Sequence, residues 1–236
     1  MKTKIVRSSE RGKTNIDWLD SKHSFSFGHY HDPKRMNFGT LRVLNDDKIA
    51  AGKGFGTHQH DNMEIISYAI DGELAHKDSA GNGGVIGKHE IQVMSAGSGI
   101  YHSEFNNSKT KSAEFLQIWI DTKEQDIKPR YDQRKFDFKN AKDKFLLLVS
   151  GDKKENSLYI HQNAWISVAE LSKGKEIKYG AKGKDTGIFI FLVKGEIKVG
   201  NDILKVRDSI EITDTDSLEI NSNSDSEILL LEIPMS

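Results

Sequence analysis

The chain has 236 residues, 36% hydrophobic and 29% charged, with 34 Lys and Arg against 35 Asp and Glu and no cysteine. These proportions fit one large or two small folded domains and exclude a disordered chain. The missing cysteines exclude disulfides, thiolate catalysis, iron–sulfur clusters and thiolate-bound zinc, and a net charge of −1 withholds the electrostatic support that direct nucleic-acid binding needs.

The first residues, MKTKIVRSSERGK, lack the apolar core of a signal peptide. No apolar run approaches the roughly 18 residues of a membrane span, so a cytoplasmic protein without membrane contact is expected. Residues 1–50 are rich in turn formers and are expected to wrap or cap the fold. Short runs of β-branched and aromatic residues then predict strands at 40–44, 63–70 and 115–120, and again at 145–149, 165–168, 188–193 and 227–233. Turn signals separate them, among them Asp71-Gly72, Gly81-Asn82, Lys194-Gly195 and Gly200-Asn201. The pattern predicts an all-β protein of barrels or sandwiches. The charged stretch 121–144, with Pro129, reads as a connection. The division is therefore 1–122, a connection 123–144, and 145–236.

The two parts read as diverged repeats. In the first, Gly52 precedes His58 and His60, and Asp71-Gly72-Glu73-Leu74 follows. In the second, Gly174 precedes Gly180 and Lys182, and Lys194-Gly195-Glu196-Ile197 follows. Gly180 and Lys182 offer nothing to a divalent ion, so the second barrel is expected to hold none.

Nine histidines are present. His29 and His31 precede Asp32-Pro33, a turn sequence. His58 and His60 follow the glycine-rich Gly52–Gly56 and lead into a strand. Residues i and i+2 of a strand share a face and lie about 7 Å apart, so these two imidazoles can converge on one ion. His102 and Glu104, behind Gly97 and Gly99, repeat the spacing. On a neighbouring strand they would complete a set of three imidazoles and one carboxylate, suited to Fe(II), Mn, Co, Ni, Cu or Zn. Glu64, four residues after His60, competes with Glu104 as the carboxylate or serves behind the ligands.

The pattern Gly52-x5-His58-x-His60-x3-Glu64-x7-Gly72, with Gly97-x-Gly99-x2-His102-x3-Asn106, resembles the cupin superfamily. The stretches Trp18–Gly28, Tyr30–Pro33, Phe38–Asp47, Gly54–His58, Gln117–Ile120 and Pro129–Tyr131 resemble the pirin family of bicupins more closely. The resemblance covers about residues 10–135 and is thin beyond. It implies two jelly-roll-like β-barrels, with a metal in the first held by His58, His60, His102 and Glu104. That leaves Glu64 behind the ligands and makes iron the first expectation. It also implies flavonol (quercetin) 2,3-dioxygenase activity, with O₂ as co-substrate and carbon monoxide and a depside as products. Glu104 would take the flavonol proton as ligand and base in turn. Met63, Ile65 or Ile66, Phe105, Phe115 and Trp119 are candidates for an apolar wall that excludes water. The alternative is a metal-binding regulatory or redox-sensing protein that modulates a partner without catalysis. A monomer is expected.

Overall fold

Strands buried on both faces must be apolar at every position, and this chain has several. In Thr186–Lys194, Phe189, Phe191 and Val193 enter one core while Ile188, Ile190 and Leu192 enter another. Ser226–Pro234 divides in the same way, with Leu229, Leu231 and Ile233 on one side and Ile228 and Leu230 on the other. The computed structural model describes residues 1–153 and 156–236 and places these strands in the middle of a seven-stranded antiparallel array, apart from one parallel pair at its edge.

Each half pairs a seven-stranded sheet with a four-stranded one. The first large sheet runs Arg130–Lys135, Glu90–Ser95, Met63–Asp71, Ala113–Asp121, Leu41–Ile49, Leu19–His23, Gly12–Ile16. Its small partner runs Gly54–His60, Ile100–Asn106, Glu73–Asp78, Gly83–Gly87. In the second half the large sheet runs Lys2–Val6, Ser209–Thr213, Thr186–Lys194, Ser226–Pro234, Trp165–Leu171, Leu146–Ser150, Leu158–Tyr159. Its partner runs Glu176–Gly180, Ser217–Ser222, Glu196–Val199, Asp202–Lys205. The central strands follow one another in the same sequential pattern in both halves, as a repeat requires. The sheets are not closed barrels. Hydrogen bonding stops at the edges of each sheet, and the halves are open two-sheet jelly rolls.

Two edge strands cross the divisions drawn from sequence. Lys2–Val6 pairs with Ser209–Thr213 of the second half, and Arg130–Lys135, inside the expected connection, pairs with Glu90–Ser95 of the first. Gly12–Ile16, Leu19–His23 and Leu41–Ile49 extend the first large sheet, while residues 24–40 run outside the strands and send Phe25 and Phe38 into the core between the halves.

The two large sheets face each other across the principal core. Leu44, Ile66, Tyr68, Leu116 and Ile118 of the first half meet Val168, Phe189, Phe191, Leu229 and Leu231 of the second. Polar ties cross the seam as well: Tyr68 Oη donates to Glu227 at 2.6 Å, and Arg207 binds Asp46 at 2.6 Å and Glu114 at 3.0 Å. The interiors of the two jelly rolls differ. The second is one continuous apolar cluster of 16 buried residues. The first is split into two small clusters, around Phe115 and around Met94, with polar side chains between them.

Candidate metal centre

The polar interior of the first jelly roll is built by alternation. Along Ile100–Asn106, residues 100, 102, 104 and 106 are buried, while Tyr101 and Phe105 are exposed. His102 lies opposite His58 and Ile100 opposite His60 on the adjacent strand Gly54–His60. The register then slips between His102 and Glu104, where Gly54–His60 carries one residue more than its partner strand, and the unbroken alternation of Ile100–Asn106 keeps Glu104 buried on the same face as His102. Gly54 lets the two strands approach closely beyond the slip, since a Cβ there would stand 2.2 Å from the Glu104 carbonyl oxygen. Gly97 shapes the approach: its φ is +51°, and a Cβ would meet the Ile127 carbonyl oxygen at 2.0 Å.

The ligating atoms of His58, His60 and His102 lie within 4.8 Å of one another. Those of His76, His102 and Glu104 form a second such group, so Glu104 adjoins the three imidazoles through His102. The Nε2 atoms of His58 and His102 are 3.0 Å apart. His58 Nδ1 donates to the Gly56 carbonyl at 2.8 Å, which leaves its Nε2 unprotonated and aimed at His102. His60 Nε2 is buried and has no partner among the described residues. Burial, and then the neighbouring imidazoles, lowers the pKa of His60 to about 4 and that of His102 to about 2. Neutral imidazoles with converging lone pairs, one of them orphaned, fit a divalent cation.

Glu104 is anchored from three sides. Oε1 accepts from Ser67 Oγ at 2.9 Å and Gln92 Nε2 at 2.7 Å, and Oε2 accepts from Gln117 Nε2 at 2.5 Å. Burial pushes its pKa up to about 7 against the downward pull of those three donors. A carboxyl near neutrality is suited to exchanging a proton.

A cavity of about 360 Å³ lies against His58, His60 and Glu104. Its walls are largely apolar: Ile16, Trp18, Leu19, Phe27, Phe55 and Trp119. Trp119 packs edge-on against His60, with ring centroids 4.7 Å apart. Its polar groups come from Thr14, Ser21, His23, Asn45 and Asp47. Ser21 Oγ donates to Asp47, whose burial raises its pKa to about 7. His23 bridges Thr14 Oγ1 and Asn45 Oδ1, each at 2.9 Å. The volume suits a drug-sized ligand.

The sequence-derived candidates fare differently. Of the proposed wall residues, only Trp119 lines the cavity. Phe105 is exposed, Phe115 and Ile65 sit in separate small clusters, with Met63 packed beside Ile65, and Ile66 faces the other half. His29 and His31 are exposed around the turn at Tyr30, though His29 reaches the cavity rim. Glu64 does not share a face with the histidines. The strand ends at His60, Asn62 takes a positive φ, and the new strand from Met63 turns Glu64 to the seam between the halves. There its Oε2 accepts from Ser95 at 2.7 Å and its Oε1 stands 3.7 Å from His161 Nδ1. In the second half, Gly180 is exposed and Lys182 lies beyond the strand. Buried positions of the corresponding strand pair carry Ile177 and Tyr179, opposite Ile220 and Leu218. Repeat spacing in sequence had placed the equivalence on the wrong strand face. His76, Asp78, Ser67, Gln92 and Gln117 were not among the site residues expected from sequence, although Gln117 opens one of the stretches that carry the family resemblance. His76-x-Asp78 repeats the i, i+2 spacing and was the one signal available from spacing.

A family model described as Pirin matches residues 5–120, and one described as the quercetinase C-terminal cupin domain matches residues 147–233. The chain is 41% identical over 230 residues, 98% of either chain, to the quercetin 2,3-dioxygenase of Escherichia coli K12. It is 38% identical to a pirin-like protein of Caulobacter vibrioides, over 94% of this chain and 95% of that one. The crystal structure of the bacterial pirin YhhW from Escherichia coli in complex with nickel(II) superposes with a TM-score of 0.93 at 39% identity, covering 100% of both chains.

Proposed function

The chain belongs to the pirin family, and from that premise we propose that it is a metal-dependent dioxygenase. It would cleave a flavonol such as quercetin with O₂ and release carbon monoxide and a depside, the reaction for which its Escherichia coli relative is named. The observation that carries this reading is the convergence of three imidazoles, one with an orphaned nitrogen, beside an aromatic-walled cavity. The proposed ligands are His58, His60, His102 and Glu104. They would hold one divalent transition metal, with iron(II) first and nickel, cobalt, manganese, copper or zinc served by the same donors.

When bound, the ion supplies Lewis acidity toward a phenolic oxygen and a centre for O₂. The protein supplies the rest. Glu104, held by Ser67, Gln92 and Gln117, takes the proton of the flavonol 3-hydroxyl on a carboxylate oxygen. The rings of Trp18, Phe27, Phe55 and Trp119 pack against the flat substrate and exclude water. Asp47 and Asn45 offer hydrogen bonds to ring hydroxyls, with His23 holding Asn45 in place. Among the described residues no helix is long and apolar enough to cross a membrane, and a cytoplasmic monomer is part of this reading. The test is elemental analysis of the purified protein together with loss of flavonol absorbance under air. Metal with turnover supports the enzyme. Metal without turnover of any flavonol moves the protein to a regulatory role.

A further inference from the structure

His76 lies on Glu73–Asp78, opposite Glu104, with its ring buried behind the proposed ligands. Its Nε2 is 3.3 Å from Asp78 Oδ2, and its Nδ1 is 3.3 Å from His102 Nδ1. Asp78 is itself fixed, its Oδ1 accepting the backbone N–H groups of Ala80 at 3.0 Å and Asn82 at 2.9 Å. The ring of Tyr131 stacks on His76 with centroids 4.4 Å apart and planes 15° apart, so the imidazole cannot swing away.

We propose that Asp78 and His76 form a positioning relay that sets the tautomer of His102. A carboxylate only accepts, so Asp78 holds the His76 proton on Nε2. The His76 Nδ1 is then a lone pair and accepts the Nδ1–H of His102. This leaves His102 Nε2 unprotonated, facing the unprotonated Nε2 of His58 across 3.0 Å. His58 reaches the same tautomer by a simpler device, its hydrogen bond to the Gly56 carbonyl. Ligand imidazoles are commonly oriented by a partner on the far nitrogen, and here a second imidazole stands between the ligand and the carboxylate. Neither His76 nor Asp78 touches the ion. The relay rests on the metal reading only for its purpose, since the contacts from Asp78 to His76 and from His76 to His102 are present without metal.

The test is Asp78→Asn. Its Oδ1 can keep the turn N–H groups while an amide NH₂ faces His76, with the Asn82 side-chain amide, which donates to Oδ2 at 3.0 Å in the wild type, turning its oxygen toward the new NH₂. The proton on His76 then moves to Nδ1 and displaces the His102 proton to Nε2. Long-range ¹H–¹⁵N spectra of metal-free, ¹⁵N-histidine protein read this directly. His102 is expected as Nδ1–H in the wild type and Nε2–H in Asp78→Asn. By chelator competition with the same metal, Asp78→Asn should bind about 10- to 100-fold more weakly. His76→Asn puts an acceptor oxygen in place of Nδ1 and should keep most of the affinity. Adding Asp78→Asn to it should cost nothing further. An Nε2–H tautomer in the wild type, or no change in Asp78→Asn, overturns the relay. So does an equal loss from Asp78→Asn in both backgrounds, which would mark a role in the turn alone. Loss of metal in His76→Asn would make His76 a ligand instead. A wild type that binds no metal, with the tautomers as expected, would refute the metal reading and leave the relay standing.

Discussion

Glu64→Gln separates two roles for a buried carboxylate. Glu64 is fully buried at the seam, with one oxygen on Ser95 and the other without a hydrogen-bond donor. Burial raises its pKa from 4.5 to about 7, outweighing the hydrogen bond from Ser95. His161 across the seam is lowered by burial, which disfavours a positive charge beside Glu64. The sign follows. Below pH 4.5 the carboxyl is protonated in both folded and unfolded protein, and its stabilising contribution is fully present. As the pH rises through about 7 the unfolded chain ionises first, and that contribution is lost. The shift corresponds to about 3 kcal/mol at most. Gln is close in shape to the protonated form and does not titrate. The stability of Glu64→Gln relative to wild type should therefore climb by about 2–3 kcal/mol between pH 4.5 and pH 8. Urea denaturation of the metal-free proteins at intervals of pH measures it. The metal content of the variant should match wild type. Parallel stability curves would refute the burial argument, and loss of metal would return Glu64 to the metal site.

His60→Ala removes a nitrogen that has no other partner, and should strip the metal and abolish turnover, read by elemental analysis and flavonol absorbance. Glu104→Gln should keep part of the metal and lose most turnover, because an amide cannot take the flavonol proton. It should also cost about 1–3 kcal/mol in denaturation of the metal-free protein, since its NH₂ meets another donor, Gln117 Nε2. Gly97→Ala combines a positive φ with a clash against the Ile127 carbonyl; a loss of about 1–3 kcal/mol with weakened metal retention is expected in the same assays. Arg11→Met should raise stability by about 1 kcal/mol or more, as the buried guanidinium has no hydrogen-bond partner among the described residues and its nearest carboxylate, Asp46, is held by Arg207.

All seven apolar runs singled out in the sequence are strands of the two large sheets. They were legible because those sheets are buried on both faces and tolerate few polar residues. The small sheets have one face in solvent. Glu73–Asp78 and Ser217–Ser222 alternate buried and exposed positions within six residues, too briefly and too polar to read as apolar runs. Edge strands were illegible for another reason. Lys2–Val6 and Arg130–Lys135 are charged, and their partners are set by tertiary contacts. His58 with His60 and His102 with Glu104 stood out as candidates through paired i, i+2 spacing, while the preference for Glu104 over Glu64 came from the family resemblance. Glu64 misled because strand parity was carried through a turn that resets it at Asn62. Gln92 gave no signal and Gln117 only its place in a resembling stretch, since the role of a buried glutamine is recognisable only by the carboxylate it serves.

Carbon monoxide release is the sharpest measure of flavonol cleavage by this protein. Protein loaded with iron(II), its metal-free form and His60→Ala are each mixed with quercetin under air, and carbon monoxide is quantified against quercetin consumed. Equimolar carbon monoxide is expected from the loaded wild type and none above background from the other two. Loaded protein that holds its ion yet leaves quercetin intact, or consumes it without carbon monoxide, would contradict the proposed cleavage.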